Sequence, residues 1–93
     1  MVSSVFQSVT LENSQIGRVE TVSSIDEAAA FLLGGWPKKK SPLHLEARVA
    51  CYEAQSGLVS IEAARSIFIE AAIEANIYIQ QENLHELRVA GSK

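Results

Sequence analysis

Cysteine is nearly absent from this sequence. Cys51 stands alone, so no internal disulfide can staple the fold and the core must hold it. Long apolar runs are absent as well. Nothing approaches the ~20 residues that a membrane-spanning helix needs. The opening residues, Met1-Val2-Ser3-Ser4-Val5-Phe6-Gln7, lack the basic start and apolar run of a signal peptide. These three features lead to the expectation of a cytoplasmic protein without membrane contact. Positive charge is scarce: 8 Lys and Arg stand against 11 Asp and Glu, for a net charge of −3. Phosphate binding needs a concentrated positive field, so nucleic acid is not the default partner. The histidines His44 and His85 fall far apart, and with Cys51 they form no recognised metal-ligand spacing. Neither a Walker nor a dinucleotide pattern surrounds Gly34-Gly35. No metal and no cofactor is expected.

What is present is ordinary globular material. The apolar fraction is 47% and the charged fraction 20%, which argues against disorder. Ninety-three residues suit one domain. Residues 5–11 alternate, with Val5, Val9 and Leu11 on one face and Phe6, Ser8 and Thr10 on the other. Residues 16–22 alternate less cleanly. The turn chemistry of Asn13-Ser14-Gln15 between them predicts an antiparallel hairpin over about 4–11 and 16–22. Three helices follow, over about 25–33, 42–56 and 61–75. Ser24-Ile25-Asp26-Glu27 reads as a capping box, Gly34-Gly35 as a stop, Ser41-Pro42 as a cap with proline at the first helical position, and Ser60 as a third cap. Gly57 ends the second helix and Asn76 the third. Ile77-Tyr78-Ile79 reads as a short third strand that adds to the hairpin edge. The expectation is one α+β domain over 1–79 and a partly ordered tail over 80–93.

At 100° per residue the second helix carries two apolar stripes. Leu43, Ala47, Ala50 and Ala54 form one; Leu45, Val49 and Tyr52 form another nearly opposite. Two stripes predict two covered sides and a central helix. The third helix has a broad apolar face through Ile61, Ala64, Ile67, Phe68, Ala71, Ala72 and Ala75. Ile69 and Ile73 fall beside it. They are either a dimer patch or a cover for the sheet.

Four features bear on function. Trp36, beside two glycines and a proline, is either a core anchor or an exposed binding residue. Lys38, Lys39 and Lys40 precede a helix N-terminus and could contact an anion; they also simply solvate a loop. His44, Arg48 and Cys51 share one side of the second helix at i, i+4 and i+7. They read either as a thiol activated by cationic neighbours, or as a buried hydrophobe with a solvated charge. The carboxylates of Glu70 and Glu74 read as a solvated face.

Trp36-Pro37, Ser41-Pro42-x-His44, Ala50-Cys51, Gly57, Glu62-Ala63-Ala64-Arg65 and Phe68-Ile69-Glu70-Ala71-Ala72 are a set whose order and spacing matter more than any one dipeptide. The set resembles a small bacterial family known as domain of unknown function 982, found mainly in rhizobia and related alphaproteobacteria. The likeness spans about residues 16–79. It implies a short cytoplasmic single-domain protein of ββααα type. It carries over no activity, cofactor or catalytic residue, and the triple lysine is not a family feature. The reading ranked first is therefore a non-catalytic interaction or regulatory module. It would be homodimeric or bound to another protein, through Trp36 or the Ile69/Ile73 patch. Anion or nucleic-acid binding at Lys38–Lys40 ranks second. A thiol-dependent enzyme or redox sensor built on Cys51 ranks third.

Overall fold

In the computed structural model of the chain, residues 5–13 and 15–79 are described. The alternating first third forms β1 (Val5–Asn13) and β2 (Arg18–Ser24), paired antiparallel. The helices are α1 (Ile25–Gly34), α2 (Pro42–Gln55) and α3 (Ile61–Glu74), and a two-residue β3 (Tyr78–Ile79) follows. The class is α+β, as the sequence indicates. The sheet order is β2-β1-β3, with Thr10 opposite Ile79 and Leu11 opposite Tyr78. Glu12 also donates its backbone N–H to the Ile77 carbonyl at 2.9 Å. As the middle strand, β1 supplies the fully buried Leu11 and the buried Val9. The expected tail over 80–93 lies outside the described residues.

The hairpin departs from expectation at both ends. β2 starts at Arg18 rather than 16, because the turn takes Ile16 and Gly17. The Asn13 carbonyl accepts from Gly17 N–H at 2.8 Å, and Gly17 has φ +67°, a conformation that glycine adopts without strain. Near the start of β1, the ladder is irregular between Val5, opposite Ser24, and Val9, opposite Val22. The irregularity turns Phe6 into the core and leaves Val5 67% exposed, opposite to the strict alternation. A broken ladder frees backbone groups that need partners. Arg65 of α3 provides one: its Nε–H donates to the Gln7 carbonyl at 2.9 Å, and its guanidinium lies 5.9 Å from the Phe6 ring centre.

The helix starts follow the serines. Ser24, Ser41 and Ser60 each accept from the N–H three residues on, of Glu27, His44 and Ala63. The Glu27 carboxylate reaches back one residue further than a capping box requires, and accepts from Ser23 N–H at 2.8 Å. Gly57 (φ +80°) and Asn76 (φ +64°) take the left-handed conformation after α2 and α3. Gly35 ends α1 for a different reason. Its φ is −112°, open to any residue, but a Cβ there would lie 2.9 Å from Asn13 Nδ2 and 3.0 Å from the Phe31 ring. Space, not handedness, requires glycine at that position.

α1 leans on β2, α3 leans on β1, and α2 packs against α1 and α3. The core gathers Phe31 and Leu32 of α1, Phe68, Ala71 and Ala72 of α3, Ile77, and the inner residues of β1 and β2. Each large apolar side chain fully buried this way contributes roughly 1.5–3 kcal/mol. The broad face read for α3 is observed, with Ile61, Ile67 and Ala75 packed at its margin. α2 does not have the expected central place. It buries His44, Ala47, Ala50 and Cys51, while Leu45, Val49 and Tyr52 stand 55%, 46% and 66% exposed. The periodicity counts apolar stripes, but among the described residues no further element lies over the second one.

Candidate functional site

Trp36 belongs to the interior, with 3% of its surface exposed. Its ring meets Phe31 edge-on at 6.0 Å between centroids, and lies 6.1 Å from Phe68 and 5.2 Å from His44. Gln15 reaches across from the hairpin turn and donates its Nε2–H to the Trp36 carbonyl at 2.8 Å. The loop after α1 is thus tied to the turn, to both neighbouring helices and to α3. Trp36 is placed as a core anchor would be, with almost none of its surface exposed.

His44 is also interior, at 2% exposed. Its Nε2 lies 2.8 Å from the Leu32 carbonyl. A carbonyl only accepts, so this contact assigns the proton to Nε2. The last carbonyls of a helix have no helical partner, and His44 satisfies one of them for α1. Its job is to join α1 to α2. Cys51, fully buried, does not form the site envisaged with Arg48. Burial raises its thiol from the ordinary 9.0 to about 11, the reverse of an activated nucleophile. Arg48 lies across the border of the buried strip, on the exposed side.

Lys38, Lys39 and Lys40 are exposed. Lys40 Nζ donates to the Pro37 carbonyl at 3.1 Å. The start of α2 already has its own anion: the Ser41 hydroxyl donates to the Glu74 carboxylate from the end of α3. That carboxylate complements the positive end of the α2 dipole. On α3, Ile69 packs half-buried against the core, while Ile73 stands 52% exposed beside the exposed Glu74. The two isoleucines thus differ in setting: Ile69 lies against the core and Ile73 faces outward.

The concentration of exposed apolar surface lies elsewhere. Leu33 of α1, 67% exposed, faces the same open groove as Leu45, Val49 and Tyr52 of α2. The groove has a volume of about 390 Å³, with Arg48 and Gln55 at its rim. Gln55 Nε2–H donates to Asp26 Oδ1 at 2.9 Å and fixes α2 to the start of α1. Sequence reasoning found the Leu45/Val49/Tyr52 stripe but assigned it to the interior. Leu33 was missed as its neighbour because only the α1–α2 packing brings it there. A second open depression, about 440 Å³ between β2 and α1, includes Glu20, Thr21 and Glu27. Its Glu27 carboxylate is committed to Ser23. No group of three or more His, Cys, Asp or Glu with metal-binding geometry occurs among the described residues.

These features define a small α+β domain whose interior is knotted around one tryptophan and whose outermost helix is apolar on both sides. The chain belongs to the family described as protein of unknown function (DUF982), whose model matches residues 7–79. No curated protein and no solved structure matches it. The residues that carry the family likeness are largely folding residues. Trp36, His44, Ala50, Cys51, Ala64, Phe68, Ala71 and Ala72 are buried, Ser41 caps a helix, Gly57 holds positive φ and Arg65 holds the irregular strand.

Proposed function

We propose that this protein is a non-catalytic interaction module, and that its working surface is the groove between α1 and α2. The carrying observation is the exposure of four large apolar side chains, Leu33, Leu45, Val49 and Tyr52, on one continuous face. Scattered exposed apolar residues need no explanation; a contiguous set rimmed by polar groups is the mark of a partner surface. Its occupant is an amphipathic helix. Leu45, Val49 and Tyr52 recur at i, i+4 and i+7, the spacing by which one helix meets another. The interior placement of Trp36, His44 and Cys51 supports the same reading, since the side chains best suited to chemistry are engaged in packing.

A photo-cross-linking residue tests it. Placed at Tyr52, it should yield one discrete adduct that maps to a single helical segment. Placed at the exposed Ser66 of α3 it should yield none. Equal yields at the two positions, or adducts scattered over many segments, would sink the proposal.

A further inference from the structure

Resting on that reading, we infer that the helix received by this face is α2 of a second copy, aligned parallel across a two-fold axis. The argument is one of register and charge. Take Leu45, Val49 and Tyr52 as the d, a and d positions of a heptad seam. The core-facing residues His44, Ala47, Ala50 and Cys51 then fall at c, f, b and c, on the opposite side. The seam therefore points straight away from the protein's own core. Among parallel pairings, a β-branched residue at a with leucine at d favours two strands over more, and Val49 with Leu45 is that combination, with Tyr52 at the second d position.

In the same frame Arg48 occupies a g position and Glu53 the e position five residues later. Residues five apart on one helix do not face each other. Across a parallel pair, however, g meets the partner's e of the next heptad. Arg48 would face the partner's Glu53, and symmetry repeats the pair on the other flank. Neither Arg48 nor Glu53 has an ion-pair partner among the described residues. The antiparallel alternative, centred on Val49, sets Glu46 against the partner's Glu53 on one flank, a like-charge contact. Leu33 widens the apolar strip on the Arg48 side of the seam. The seam covers two turns of a 14-residue helix. An interface this short falls at the weak end of specific association, with Kd on the order of 1–100 µM.

The test is sedimentation equilibrium of the intact chain from about 5 to 500 µM, a range that brackets that Kd. Association from monomer to dimer is expected. Arg48→Glu and Glu53→Arg should each weaken it by at least about 10-fold, and the double swap should restore it. Leu45→Cys should form an interchain disulfide under mild oxidation, because only the parallel register brings the two positions together. Far-UV circular dichroism of each variant confirms folding; Leu45 and Arg48 are exposed and Glu53 is half-buried. A dimer indifferent to the charge swaps, or one in which Leu45→Cys fails to cross-link, overturns the inference. So does a monomer at every concentration. If that monomer still gives one discrete Tyr52 adduct with another protein, the interaction reading stands and only the second copy is excluded. If it gives no preferred adduct, both fall.

Discussion

The two faces of α2 differ in an instructive way. Toward α1 and α3 it presents Ala47, Ala50 and Cys51 with the imidazole of His44; toward solvent it presents Leu45, Val49 and Tyr52. Small side chains are inside and large ones outside. The inner face is adapted to close approach, since helix axes separate by only about 8 Å where small residues meet. The bulk of the core comes from other elements, Phe31, Leu32 and Phe68 among them. α2 is held by fit and by hydrogen bonds at its ends, from His44 to Leu32, Ser41 to Glu74 and Gln55 to Asp26. Leu45, Val49 and Tyr52 add little to the packing of the described residues, while Leu43 of the same helix packs at the margin of the core.

Three measurements bear on that contrast. The largest effect is expected at the aromatic brace beneath the start of the inner face. Trp36→Ala should cost about 3–5 kcal/mol in urea denaturation followed by circular dichroism, because a large cavity opens among Phe31, His44 and Phe68. A loss under about 1 kcal/mol would mean that the loop does not depend on this knot. The next effect comes from the thiol. Its folded pKa, raised to about 11, lies above the unfolded value near 9.0. The protonated thiol is common to both states below pH 9, so stability is complete there. It should fall as pH rises from 9 through 11, by roughly 1–3 kcal/mol. Cys51→Ala should remove that part of the alkaline decline, and an unchanged profile would place the thiol in contact with water. The smallest effect belongs to the outer face. In dilute solution Leu45→Ser should change stability by no more than about 0.5 kcal/mol. A loss above about 2 kcal/mol would show that the outer face is covered within the single chain.

Much of the fold was legible in the sequence because short-range chemistry decides it. Ser24, Ser41 and Ser60 cap helices as read, Gly57 and Asn76 terminate them, and Tyr78–Ile79 forms the third strand, one residue shorter than read. The misreadings share a cause, since each depends on what a distant segment does. Phe6 faces inward because the β1–β2 ladder slips and Arg65, far along the chain, steadies the slipped stretch. Gly35 ends α1 as read, but the close approach of Asn13 that demands glycine there is visible in no local pattern. The candidate site was half legible. The stripe of Leu45, Val49 and Tyr52 is plain in the spacing, but whether a stripe is covered depends on the number of elements left to cover it. For Trp36 the sequence left a core anchor and an exposed binding residue both open, because its burial depends on Phe31, His44 and Phe68 meeting around it.

The pairing of β1 with β3 sets a condition on how the chain is made. Residues 5–13 are synthesised well before residues 77–79, yet their outer edge is completed only by that later segment. The hairpin waits for nearly all of the described sequence before its middle strand has neighbours on both sides. Arg65, which steadies the start of that strand, also arrives late. Until residues 77–79 are made, β1 lacks its pairing with β3 and that edge of the sheet stays open. Joining β1 to β3 closes a long loop, and pairing between segments so distant in sequence is slower than the formation of a helix.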